Sequence, residues 1–336
     1  MSSTTDRSPH QKKFYIPQVN IEPFLKDPDS ATSKTIIEEV RAACRSTGFF
    51  EITGHGIPKS LQKEVFGAAS QFFKLSFDEK KRLDASKQIG YRGYDMLASQ
   101  AYGKDLLPDL KEGFYIGIDI PKTDPRAGRF FTGPNVWPDE SLLPASQFKD
   151  PCTMYFSAML QLSFRIMALL ARTLPYGPHI FDEFIANDPA APLRLLHYPP
   201  PPMASVGPEQ QKKQFGASAH TDFGAITILL QDENPGLEVL DQDADSWVPI
   251  DPNPGAYVVN VGDMLSLWTS GEYKSSVHRV ISKNPTDRYS VVFFLDGNLD
   301  CSLNPLDGSE NRGPKTVEEH MTRRLTASYG VEKEKD

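Results

Sequence analysis

The chain has 336 residues, with 36 Lys and Arg against 44 Asp and Glu, for a formal charge of −8. That acidic balance holds no basic cluster, which argues against nucleic acid or an anionic membrane surface and leaves a small molecule as the expected partner. Cys44, Cys152 and Cys301 are too few and too scattered for a disulfide framework or a zinc cluster, and free thiols fit a reducing cytoplasm.

Residues 1–13 are polar and charged and read as a disordered tail. Amphipathic helices are predicted over 33–44, 59–75 and 151–174. Ile36, Ile37, Val40 and Cys44 form the apolar stripe of the first. Leu61, Val65, Phe66, Ala69, Phe72 and Phe73 form that of the second. The third contains the longest apolar stretch, but Gln161, Arg165 and Arg172 interrupt it, so it reads as a buried helix and not a membrane span. Short strands are predicted at 49–52 and 114–117; the rest of 85–117 carries no clear pattern. From residue 193 the pattern changes to short strands separated by Pro, Gly, Asp and Asn, at 193–198, 225–231, 237–240, 257–261, 264–268, 278–282 and 288–295. Such spacing predicts an α+β chain with a mainly β core, built as a sandwich or jelly roll. The proline-rich stretch 199–216 reads as a long loop of the kind that forms lids.

Two motifs carry chemistry. In His220-Thr221-Asp222 an imidazole and a carboxylate stand two residues apart, and on an extended segment both leave the same face. His278, inside a second β-branched run, supplies a third ligand. Two histidines and one carboxylate with other positions left open form the facial triad of non-haem Fe(II) oxygenases, which need room on the metal for a co-substrate and O₂. Ten residues on, Arg288 opens a strand on which Ser290, Val292 and Phe294 share its face. A guanidinium fork and a hydroxyl directed into an apolar cavity suit a carboxylate. Together the motifs describe a site for a small keto acid, chelated at one end and clamped at the other.

HTDFGAITILLQD at 220–232, VVNVGDMLSLWTSGEYKSSVHRV at 258–280 and RYSVVFF at 288–294 resemble the 2-oxoglutarate/Fe(II)-dependent dioxygenases of the isopenicillin N synthase-like group. TGFFEITGHGIP at 47–58 resembles that family's amino-terminal region, and LRLLHYPP at 193–200 the strand before its metal site. Thymine dioxygenase and other fungal-type small-molecule oxygenases are the nearest in pattern. The resemblance implies a double-stranded β-helix over 121–336, catalytic at about 190–300 and ending in a carboxy-terminal helix. It implies an amino-terminal region, 14–120, packed on that core. It also implies Fe(2+) on His220, Asp222 and His278, and 2-oxoglutarate held by Arg288, Ser290 and Tyr198. Leu196 stands where the plant-type pattern has asparagine. Arg194 shares a strand face with Tyr198, and Phe294 lies beyond Ser290; in thymine hydroxylase-like members these two positions contact substrate.

The implied reaction oxidises a C–H bond of a small, flat, oxygen-bearing molecule, most simply by hydroxylation, with release of succinate and CO₂, in secondary metabolism. Desaturation or ring expansion would use the same site. A 2-oxoglutarate-independent oxidase of the isopenicillin N synthase kind and a Zn²⁺ hydrolase share the ligand set, but the hydrolase gives Arg288 no role. A catalytically dead binding module would keep the scaffold without using the ligands. The bland alternatives are an Asx turn for Asp222, a surface ion pair for Arg288, a structural salt bridge for Arg194 and core packing for Phe294. His10, His55, His179, His197 and His320 are expected to be structural or solvated, with His197 facing away from Tyr198. Asp263 is expected to bond backbone groups at a tight turn. A monomer or a homodimer is equally compatible with the sequence.

Overall fold

Alternation along the strands decides which side chains meet helices and which meet the site. The computed structural model describes residues 14–98, 107–200, 215–281, 284–311 and 313–328. The expected tail, His10, most of the expected lid loop and Ser282 lie outside these residues. The chain runs β1 (Gln18–Asn20), α1 (Glu22–Lys26), α2 (Ala31–Ser46), β2 (Phe49–Thr53), α3 (Lys59–Phe73), α4 (Phe77–Lys81), β3 (Gly93–Asp95) and β4 (Glu112–Ile116). After α5 (Lys149–Thr173) and α6 (Asp182–Ile185) come β5 (Leu193–Tyr198), β6 (Ala217–His220), β7 (Ile226–Gln231), β8 (Leu237–Asp241), β9 (Ser246–Pro249) and β10 (Tyr257–Val261). The chain then forms α7 (Asp263–Trp268), β11 (His278–Val280), β12 (Arg288–Leu295) and α8 (Val317–Ser328).

Eight strands form a major sheet in the order β1-β2-β10-β7-β12-β5-β4-β3, and β6-β11-β8-β9 form a minor one. The two sheets make the expected double-stranded β-helix, with β1–β4 extending the major sheet at both edges. On its outer face Leu193, Leu195, Ile228, Val259, Val291 and Phe293 join one large core with α2, α3 and α5. That contact accounts for the long apolar run of α5. On the inner face Leu196, Tyr198 and Val292 meet Ala217 and Val280 of the minor sheet.

Local sequence explains the helix starts. Ser30 caps α2 by accepting from Ser33 N at 3.2 Å, and Ser76 and Glu79 form a reciprocal capping box on α4. Between α2 and β2 the chain turns at Gly48, where φ is +70° and a Cβ would lie 1.8 Å from the Lys274 carbonyl oxygen. Only glycine fits there.

One predicted strand is a helix. Residues 264–268 form most of α7, with Gly262 at the N-cap and Asp263 in the first turn. Met264, Leu265 and Trp268 are its buried residues, a helical spacing. A five-residue apolar run does not distinguish strand from buried helix, and here the cap decides. Four short strands, β1, β3, β6 and β9, lie outside the predicted ones, since none has a periodicity long enough to read.

Phe293 and Phe294 are chain neighbours on opposite faces, the first fully buried and the second only partly. Phe293→Ala should cost about 3–5 kcal/mol in denaturant unfolding, whereas Phe294→Ala should cost clearly less. Equal losses would contradict the assignment of faces.

Candidate metal centre and co-substrate pocket

Pairing of β6 with β11 sets His278 opposite His220, with ring centroids 4.4 Å apart. His220 Nδ1 donates to the Ser218 carbonyl at 2.7 Å, and His278 Nδ1 to the Ser276 carbonyl at 3.1 Å. Those bonds leave each Nε2 as a lone-pair donor. Both Nε2 atoms lie 3.6 Å from Asp222 Oδ1, and one donor atom from each residue falls within 4.8 Å of the others. Asp222 sits just past the end of β6, so the turn after His220 completes the convergence and not strand alternation alone.

The other carboxylate oxygen is tied down. Asp222 Oδ2 accepts from Thr227 Oγ1 at 2.6 Å and from Asn260 Nδ2 at 2.8 Å. Burial opposes ionisation of Asp222, but the facing imidazoles and these two donors outweigh it and hold the carboxyl below its ordinary range. Burial, followed by the neighbouring imidazole, pushes His220 down to about 4, so the ring is neutral near pH 7. A neutral imidazole and an ionised carboxylate are the forms that ligate a cation. Sequence reasoning did not single out Thr227 and Asn260 as partners, although both are polar interruptions in otherwise apolar strands.

Across the cavity Arg288 is 1% exposed. Its Nε donates to the Asn234 carbonyl at 3.1 Å and its Nη2 to Gln231 Oε1 at 3.0 Å, while the guanidinium lies 4.9 Å from the Tyr198 ring centre. Nη1 has no hydrogen-bond partner, and no carboxylate pairs with this cation among the described residues. A buried guanidinium in that state calls for an anion. Ser290 and Tyr198 line the same cavity, as do all three candidate ligands. The cavity encloses about 1100 Å³ including its mouth, and its wall is rich in rings: Phe49, Tyr115, Phe130, Phe131, Phe223 and Phe294.

Arg194 also lines the cavity, but its guanidinium is paired with the buried Asp95 and lies 4.7 Å from the Tyr115 ring centre. The expected need for a substrate acceptor is therefore met inside the protein, as the salt-bridge alternative holds. His197 faces the other way, as expected, onto Glu112 and Asp287, each at 2.8 Å. Among the remaining histidines, His55 bonds the Gly255 carbonyl and His179 pairs with Asp182 at the surface. Asp263 corrects the sequence reading: its carboxylate accepts from the side chains of Ser275 and Thr221 and pairs with Arg324, and no backbone group donates to it among the described residues. Arg324 and His320 of α8 fasten that helix to the ligand-bearing loop through Thr221 and the Phe223 carbonyl, and Met321 and Leu325 close the cavity wall.

Sequence reasoning missed two further polar groups of the cavity. Lys111 forms a buried pair with Asp109 at 2.7 Å, and Asp109 in turn accepts from Ser218, the residue whose carbonyl orients His220. Both lie in the stretch without periodicity. Asp296, one residue past β12, is buried, and burial together with the charge of Asp222 holds its carboxyl well above the ordinary value.

Residues 189–297 match the 2OG-Fe(II) oxygenase superfamily, and residues 16–140 match the region described as non-haem dioxygenase in morphine synthesis N-terminal. The chain is 54% identical over 327 residues to the 2-oxoglutarate-dependent dioxygenase citB of Monascus ruber, covering 96% of this chain and 98% of that protein. It is 48% identical over 336 residues to the clavatol oxidase claD of Penicillium crustosum, covering 95% and 98%. Its fold is similar to that of a full-length Neurospora crassa protein crystallised in complex with alpha-KG, with a TM-score of 0.79, 26% identity and coverage of 94% and 97%.

Because Asn260 fixes the carboxylate without touching the other ligands, Asn260→Ala should weaken divalent-metal affinity about 10- to 100-fold. Titration of the metal-free protein with Fe(II) or Co(II) measures it, and an unchanged affinity would remove Asn260 from the account.

Proposed function

Since the chain belongs to the 2OG-Fe(II) oxygenase superfamily, we propose that His220, Asp222 and His278 hold its ferrous ion and that Arg288, Ser290 and Tyr198 hold its 2-oxoglutarate. The enzyme is an oxidoreductase that uses Fe(II), 2-oxoglutarate and O₂ on a small-molecule substrate. Bound iron, with 2-oxoglutarate and O₂, supplies the power to break a C–H bond, and succinate and CO₂ leave. The donor set fits that ion: two imidazole nitrogens and one carboxylate oxygen converge from one side, and the opposite side opens into the cavity.

The observation that carries the reading is Arg288. It is a buried cation with a spare N–H and no carboxylate partner among the described residues, on the same cavity wall as Ser290 and facing the His-Asp-His cluster. Its bonds to Gln231 and the Asn234 carbonyl hold the fork in place before the co-substrate arrives, so little ordering cost remains on binding. Tyr198 packs over the guanidinium. A dicarboxylate bound there would direct its keto-acid end toward the metal ligands.

The substrate enters the remaining, ring-lined part of the cavity, where Phe294 offers a face for a flat molecule and Arg194, held by Asp95, forms a polar edge. We read the substrate as an oxygen-bearing aromatic compound of secondary metabolism, hydroxylated at a C–H bond. The compound named for the Penicillium crustosum relative, clavatol, is the first to assay. Three free, buried cysteines support a cytoplasmic location.

A screen for substrate-stimulated succinate release across aromatic polyketides, nucleobases and flavonoids tests the reaction. Turnover of O₂ without succinate would make the protein an oxidase of another kind. Arg288→Lys keeps the charge but loses the fork, and should raise KM for 2-oxoglutarate about 10- to 150-fold. An unchanged KM would refute the clamp.

A further inference from the structure

Among the described residues two carboxyl groups line the cavity, those of Asp222 and Asp296, and their surroundings differ. Asp222 is engaged on both oxygens by the groups described above. Asp296 follows Phe294 by two residues and is 3% exposed. Its backbone N–H donates to the Ala190 carbonyl at 2.9 Å, but no hydrogen bond or ion pair reaches its carboxyl group among the described residues. Two of the cations that line the same cavity pair with other carboxylates, Lys111 with Asp109 and Arg194 with Asp95. The protein also makes room for this carboxyl. A Cβ on Gly224, in the turn after Asp222, would lie 2.4 Å from Asp296 Oδ1. Burying a carboxyl group with no partner is costly, and the cost is offset when a ligand brings the missing hydrogen.

We propose that Asp296 is a substrate-positioning residue, accepting a hydrogen bond from a ring hydroxyl of the substrate while Phe294 packs on the ring. The inference rests on the function proposed above and deepens it, since it requires an aromatic substrate that carries a free hydroxyl group. Asp296 offers an acceptor oxygen in either protonation state, so the argument does not depend on its charge. Fixing one hydroxyl against a rigid strand end and the ring against Phe294 would select which C–H of the substrate meets the metal side of the cavity.

The test compares the wild type with Asp296→Asn and Asp296→Leu, each loaded anaerobically with Fe(II) and 2-oxoglutarate. Probes are orcinol and 2,4-dihydroxyacetophenone, each with its O-methyl ethers. Binding is read from perturbation of the charge-transfer absorption of the iron–2-oxoglutarate complex. The wild type should prefer the phenols over the ethers at least about tenfold. Asp296→Leu should lose that preference while the absorption band itself persists, and Asp296→Asn, which keeps an acceptor oxygen, should retain part of it. A Leu variant that still prefers phenols, or a wild type that binds ethers equally well or binds no phenol, would overturn the proposal. Absence of the band from the wild type is a separate failure. It would overturn the iron and 2-oxoglutarate assignment and this inference with it.

Discussion

The two oxygens of Asp222 have different tasks, and the site depends on that division. Oδ1 faces the imidazoles of His220 and His278, which a single β-pairing places side by side in the minor sheet. Oδ2 is anchored to Thr227 on β7 and Asn260 on β10, both in the major sheet. The carboxylate is therefore a joint between the sheets, and its position fixes the metal-side end of the cavity relative to Arg288 on β12. Burying an anion there is tolerable because two donors and two imidazoles surround it.

Behind that joint, each strand of the major sheet serves two environments. Val291, Phe293 and Leu295 of β12 anchor the strand in the helix-backed core, while Arg288, Ser290, Val292 and Phe294 face the site. The outer face supplies rigidity through close apolar packing, which lets the inner face carry groups that contribute little to folding. An incompletely satisfied guanidinium at Arg288 and an unbonded carboxyl at Asp296 would be errors in an ordinary core. Lining a cavity, they are positions for ligand atoms. α8 completes the enclosure by fastening to the loop that holds Asp222.

Much of this was legible in the chain because the informative spacings are short. His220 and Asp222 stand two apart, with the turn after β6 completing their convergence, and Arg288 and Ser290 share one face of β12, so each pair is set by local geometry. β-Branched runs marked β7, β10 and β12 and a leucine-rich one marked β5, each within a residue or two, and apolar stripes marked α2, α3 and α5. What escaped reading depends on distant contacts. The Arg194–Asp95 pair joins residues 99 apart, and Asn260 reaches Asp222 across 38. Asn260 stands out as a polar residue in an apolar strand, but nothing in a single sequence names the partner of either Asn260 or Arg194. Lys111 and Asp109 sit where periodicity fails, and residues 264–268 are apolar enough for strand or helix until Gly262 sets the cap.

The most direct measurement is an anaerobic crystal structure with Mn(II) in place of iron and 2-oxoglutarate bound. The account predicts metal bonds to His220 Nε2, Asp222 Oδ1 and His278 Nε2, and the far carboxylate of 2-oxoglutarate on Arg288 and Ser290. Metal bound by any other set of side chains, or a diacid whose far carboxylate lies away from Arg288, would contradict it.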